Sequence, residues 1–349
     1  MRPAPSREPQ RLVRLHLLAL CALLASCNNC QRKQSPLDRL PDPLFMGELG
    51  LDHVGIAVKR LAAARSTFHE DLGFGALEDG KLPNGIQNTN YYFEDGTYLE
   101  TLDAWDSNKQ PALAAFTQEH EGGYFAVLSI ASAAATKAAI EARGVKMGTP
   151  IEGTIQTKAT LATPGAAPRW QTLFFADHPW PESPLYFIEY AQPARGDMLK
   201  KLEAARSSGR IYHHPNSAVG IKAVWLAVPA LDAAVSELER AGFSLGAAVS
   251  DPRLQAHGRL VGAGQGKLLL LTPDAQTGPV ADELRARPQT HVFGLSIETR
   301  RVDHCAKFAQ RAVGHPVPIT QGLFGDSVLV PPQTAHGAWL ELFQRPEAR

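Results

Sequence analysis

Four glycines constrain this chain most, because each closes a helical run at a matching place in a repeated pattern: Leu72-Gly73-Phe74, Arg143-Gly144-Val145, Ala241-Gly242-Phe243 and Val313-Gly314-His315. Glycine just past the last helical residue suits the left-handed conformation of a C-terminal cap. Ahead of each stands a strand pattern and then the helix: residues 51–58 with 61–72, 124–130 with 133–142, 223–228 with 231–240, and 293–298 with 302–312. Further strands follow, 89–93 and 97–102 in the first copy. A strand, helix, strands unit met four times makes the chain an α+β protein built from internal repeats.

With 349 residues, 44% of them hydrophobic, the chain has material for two cores. Lys+Arg and Asp+Glu both total 35. That balance gives no bulk field for nucleic acid, so the expected partner is a small molecule. Cys21, Cys27 and Cys30 crowd near the N-terminus and only Cys305 lies in the folded part, which excludes a disulfide framework and a cysteine zinc cluster there. Cys305, in a helical pattern, reads as a buried small hydrophobe.

Basic residues Arg2, Arg7, Arg11 and Arg14 precede an apolar run, 15–24, that is short for a membrane span. It ends in Leu24-Ala25-Ser26-Cys27, which looks like the lipobox of a bacterial lipoprotein. Residues 1–26 are then a signal peptide, Cys27 the lipidated mature N-terminus, and 27–48 a polar tether. The chain would sit in the bacterial cell envelope, membrane-anchored and outside the cytoplasm. An ordinary secretory signal is the alternative.

Candidate chemistry begins on the first strand, Leu51-Asp52-His53-Val54-Gly55-Ile56-Ala57-Val58. Alternation puts His53 on a face with Gly55 and Ala57, small residues that leave room before the imidazole. In Thr97-Tyr98-Leu99-Glu100-Thr101-Leu102, Glu100 shares a face with Tyr98 and Leu102. An imidazole and a carboxylate from two strands of one curved sheet suit a divalent metal. Offsets from the glycines carry the position of His53 onto Tyr124, Lys222 and Gly294, and that of Glu100 onto Leu269 and Glu341. The second copy holds an insert, 148–170, and its last strand, Leu185-Tyr186-Phe187-Ile188-Glu189-Tyr190, supplies Glu189. Lys222 reads as hostile to a cation, so the C-terminal half is expected to bind no metal.

With histidine on a first strand and glutamates on last strands, the pattern resembles the vicinal oxygen chelate superfamily and, within it, glyoxalase-like domain proteins. The resemblance implies the glyoxalase/bleomycin resistance/dihydroxybiphenyl dioxygenase fold. It gives two domains of paired βαβββ modules, at 49–195 and, degenerate, at 219–345, joined by a linker at 196–218. Metal ligands in such proteins come from first and last strands, which carries over to His53, Glu100 and Glu189, with Tyr124 at the fourth position. A zinc, nickel, manganese or iron ion there would hold two oxygens of a substrate, and Glu189 would act as the catalytic base of a lyase, isomerase or dioxygenase.

Blander readings stand beside these. His53 also reads as a core histidine, and Glu100 and Glu189 as salt-bridge partners of Arg169 or Lys158. Asn88 and Asn90 are expected to orient substrate from the cup wall, or to be turn polarity. His178, in the loop 177–181, is a candidate ligand contact or a surface residue. Tyr212-His213-His214-Pro215 reads as linker, and the glycines of 262–266 as a hairpin. The alternative function is a metal-free small-molecule binding or sequestering protein of the bleomycin-resistance kind; a third is a scaffold with a vestigial site.

Overall fold

A computed structural model describes residues 36–38, 40–41, 43–45, 50–76, 79–153, 169–176, 184–191, 207 and 213–346. Cys27, the signal and most of the tether, His178 and Tyr212 lie outside the described residues. Residues 39–349 form one compact unit.

The N-terminal half contains strands β1 (Gly50–Ala57), β2 (Gly80–Lys81), β3 (Ile86–Tyr92), β4 (Tyr98–Ala104), β5 (Gly122–Ser129), β6 (Ile151–Gly153), β7 (Trp170–Phe174) and β8 (Leu185–Tyr190). They make one sheet in the order β2-β3-β4-β1-β5-β8-β7-β6. Its helices are α1 (Leu61–Arg65), which runs on as a π turn over Ser66–Asp71, α2 (Pro111–Glu119) and α3 (Ala133–Glu141). The C-terminal half repeats the plan with β9 (Ala218–Ala227), β10 (Leu245–Asp251), β11 (Ala256–Ala263), β12 (Gly266–Pro273), β13 (His291–Thr299), β14 (Thr320–Gln321), β15 (Asp326–Val330) and β16 (Trp339–Gln344). The order is β10-β11-β12-β9-β13-β16-β15-β14, with α4 (Leu231–Ala241), α5 (Pro279–Ala286) and α6 (Val302–Val313).

In each sheet the first strand runs parallel to the last of its own module and antiparallel to the first of the next: β1 with β4 and β5, β9 with β12 and β13. Two modules thus close one curled sheet by edge pairing, the arrangement expected of paired βαβββ units. The four helix-closing glycines, Gly73, Gly144, Gly242 and Gly314, all have φ between 75° and 105°. There a side chain would be strained.

Alternation sends one row of each strand into the core. From β1 it is Leu51, Val54 and Ile56, from β5 Ala126 and Leu128, from β8 Leu185 and Phe187, from β9 Val224 and Leu226, and from β16 Leu340 and Leu342. These residues belong to a single cluster drawing on both halves, with Phe187 against Phe243 at 6.1 Å. Each such side chain contributes roughly 1.5–3 kcal/mol, so the two sheets are tied by their shared helix-bearing side.

Polar pins reinforce the tie, and one of them corrects the sequence reading. Lys222 faces this side, not the C-terminal cup; its ammonium lies 2.6 Å from Asp95 and 3.6 Å from Glu298. The His214 region is part of the fold: Asn216 is buried, and its amide donates to Leu72 O at 2.8 Å. Cys305 is buried as expected, its thiol pushed up to about 12 by desolvation. The glycines of 262–266 make the β11–β12 hairpin.

Candidate functional site

The opposite face of the N-terminal sheet is the candidate site. From β3 it receives Asn88, Asn90 and Tyr92, which pair across to Leu102, Glu100 and Tyr98 of β4. Rings run across six strands: Tyr92–Tyr98 at 4.6 Å, Tyr98–His53 at 4.2 Å and 13°, His53–Phe125 at 5.8 Å, Phe125–Tyr186 at 5.5 Å and Tyr186–Phe174 at 4.7 Å. The space in front of Gly55 is not open. A Cβ there would stand 2.5 Å from the Phe125 ring, so glycine is required for that ring to reach His53.

His53 sits at the centre of the layer and is buried. Its register with β5 is broken: Leu51 pairs with Leu128 but His53 with Val127, so Asp52 is the extra residue of a bulge. The bulge turns Asp52 out of the inward row and beside its neighbour. His53 Nδ1 lies 2.6 Å from Asp52 Oδ1, and the Tyr190 hydroxyl donates to the same oxygen at 3.0 Å. In the neutral ring, Nδ1–H donated to the carboxylate leaves the lone pair on Nε2. It looks onto Glu100 Oε2 at 3.8 Å.

Glu100 is held from the other side, where Asn88 Nδ2 donates to Oε1 at 2.7 Å. Desolvation raises its pKa, opposed by His53 and by the Asn88 bond. Burial, with Asp52 and Glu100 or each other nearby, raises Tyr98, Tyr186 and Tyr190 well above the phenol range. These hydroxyls stay protonated. A proton on a molecule held between Nε2 and Oε2 is within reach of two bases, one with a fixed tautomer and one made readier to accept by burial.

Glu189 does not join this pair. Alternation on β8 puts it with Leu185 and Phe187 on the helix-bearing side, and Oε2 accepts the Ala133 N–H at 2.7 Å, capping the start of α3. Its face-mates Leu185 and Phe187 are core residues, and the cup-facing residues of β8 are Tyr186, Ile188 and Tyr190. Glu189→Ala is therefore expected to cost about 1 kcal/mol of stability in urea unfolding and to leave ligand affinity in the cup unchanged.

Tyr124 is also displaced from its expected place, because Val127 stands opposite His53. Its ring packs on Phe116 at 5.0 Å, in the small cluster around Leu113 and Leu102. Asn88 and Asn90 lie on the cup wall as the alternation predicts. Missed from the sequence were Asp52, whose role depends on the bulge, and the tyrosines of β8, whose alternation with Leu185 and Phe187 was a readable signal.

The donors on this face do not complete a resident divalent site. Asp52 behind His53 is the outer partner a metal-ligating histidine carries, but among the described residues only His53 Nε2 and one Glu100 oxygen stand as free donors there, and the second module offers Val127, Tyr186 and Ile188 where its ligands would stand. Protein zinc sites use three or four ligands at about 2 Å. Among the described residues no group of three or more His, Cys, Asp and Glu side chains could hold a metal ion.

The C-terminal cup carries a closed ion network instead. Glu341, buried, accepts from Arg253 at 2.7 Å, Ser327 at 3.0 Å and Ser296 at 2.7 Å, and Trp225 Nε1 donates to Ser296 at 2.8 Å. Arg253 is the cation there, in place of Lys222.

Set beside known proteins, the chain matches the Glyoxalase-like domain over residues 51–242. Comparison with curated proteins gives no significant match. A solved structure of a hypothetical protein from Staphylococcus aureus is similar at a TM-score of 0.53 and 14% identity, covering 84% of this chain and 98% of its own. A mutant of 4-hydroxymandelate synthase from Streptomyces coelicolor is similar at 0.55 and 13%, covering 86% and 93%. At such identities the likeness concerns fold.

Proposed function

The chain belongs to the glyoxalase-like domain family, and from that premise we propose that its N-terminal cup binds a small molecule at His53 and Glu100 without a resident divalent metal. The observation that carries the reading is the Asp52–His53–Glu100 line, with Nε2 and Oε2 3.8 Å apart and both inward-facing. Facing them are aromatic side chains where further ligands would be needed. Capture is the function this geometry supports; proton transfer on the captured molecule is the chemistry it permits.

Metal analysis of the mature protein, purified without chelator, tests this. The expected content is far below one equivalent per chain in both wild type and His53→Ala. One equivalent in the wild type that disappears in His53→Ala would return the site to the metal-dependent lyase, isomerase or dioxygenase class.

We further propose that the protein works in the bacterial cell envelope, anchored through lipid on Cys27. What supports this is the basic segment, short apolar run and Leu24-Ala25-Ser26-Cys27. Labelling with a radioactive fatty acid is expected to mark the wild type and not Cys27→Ala; equal labelling of both would refute the anchor.

A further inference from the structure

We propose that the N-terminal cup selects a small organic cation, an ammonium-bearing molecule whose hydrocarbon body lies on the aromatic layer while its charge meets Glu100 and Asn90. This rests on the cup being a small-molecule site and adds the class of ligand.

Three independent features point the same way. Charge comes first: among the described residues the buried acidic groups of this face are Asp52 and Glu100, and the groups acting electrostatically on Tyr98, Tyr186 and Tyr190 are those two carboxylates and other tyrosines. Buried carboxylates are costly without a counter-charge. Asp52 has two hydrogen-bonding neighbours, His53 and Tyr190, whereas among the described residues Glu100 Oε2 has only the imidazole edge at 3.8 Å.

The second feature is an empty acceptor. Asn90 stands directly across from Glu100 on β3, and its side-chain oxygen is buried with no hydrogen-bond partner among the described residues. A buried acceptor left unmade costs about 1–3 kcal/mol. Together with Glu100 Oε2 and the Nε2 lone pair of His53, it offers acceptors to a ligand that brings donors. An ammonium group brings three.

The third is the wall. Rings of Tyr92, Tyr98, Phe125, Tyr186 and Phe174 form the layer around His53. Aromatic faces attract cations through their quadrupole, most strongly where water is excluded. A neutral ligand would gain from the rings and leave the carboxylate uncompensated; an anion would be repelled.

Calorimetric titration of the mature protein with 2-phenylethylamine, 2-phenylethanol and 3-phenylpropionate, alike in size and different in charge, tests the class. The amine is expected to bind at least tenfold tighter than the alcohol, and the carboxylate weakest. Glu100→Gln, which keeps the Asn88 contact, is expected to abolish the preference for the amine, and Asn90→Ala to weaken the amine several-fold more than the alcohol. Thermal unfolding of each variant checks that it is folded, and Asn90→Ala serves if Glu100→Gln is not. The alcohol or the carboxylate binding as tightly as the amine would overturn the cation proposal and leave the small-molecule reading standing. Heat from none of the three, or heat unaltered by both variants, would overturn the cup as the site and the cation proposal with it.

Discussion

Arg253→Ala is expected to lower folding stability by about 3–5 kcal/mol, because it strips the paired guanidinium from a glutamate with almost no solvent access. Glu341 is 1% exposed, and its two oxygens accept from Arg253, Ser327 and Ser296. Arg253 is itself clamped by Asp251 through Nε at 2.9 Å and Nη2 at 2.5 Å. Burial would lower the guanidinium pKa, yet Asp251 and Glu341 raise it overall, so the charge is held firmly. Removing one partner leaves the other buried and uncompensated, whereas replacing both by apolar groups need not be destabilising. Urea unfolding should show the large loss in Arg253→Ala and a much smaller one in Arg253→Met combined with Glu341→Leu. A loss below about 1 kcal/mol in Arg253→Ala would mean that the network behaves as a surface pair.

Acid should weaken the tie between the halves through His214. Burial lowers its pKa from 6.5 to about 4. The neutral ring is fully used: Nε2–H donates to Tyr92 O at 2.8 Å, and Nδ1 accepts the Gly75 N–H at 3.0 Å. A second proton would set N–H against N–H. Because the folded pKa lies below the unfolded one, the unfolded chain binds more protons between them. Stability is complete above pH 6.5 and is lost as pH falls toward about 4. At about 1.4 kcal/mol per pH unit the loss is about 3 kcal/mol. Glu100, whose pKa is raised, acts in the opposite sense, so the comparison is made against His214→Gln, which can keep one donor and one acceptor. The wild type should lose more stability from pH 7 to pH 4.5 than the variant; parallel slopes would remove His214 from the account.

The repeat was legible because its markers are local. A glycine with positive φ ends each helix, and the structure brings Glu100 to His53 and Asn88, with Asn90 across from Glu100. Glu189 was misplaced because the insert between module 2's helix and its last strand breaks the count from Gly144. Its face then rested on one alternation with two solutions, and the row with Leu185 and Phe187 is the core row. Asp52 carried no signal in the sequence, since strict alternation has no place for the bulge opposite Val127. Such a bulge comes from pairing with another strand and leaves no mark in its own segment. Lys222 was one residue from the truth in the same way: its neighbours Ala223 and Trp225 face the cup, while it faces Asp95 across the shared core.

In the function proposed, His53 presents its Nε2 lone pair to the cup, with Nδ1–H on Asp52 and no resident metal ion beside it. Nitrogen-15 NMR of the histidine side chains, before and after one equivalent of zinc, reads this directly. A protonated Nδ1 and an unprotonated Nε2 are expected for His53, both unmoved by zinc. A zinc-dependent displacement of the Nε2 resonance, abolished by Glu100→Gln, would contradict it.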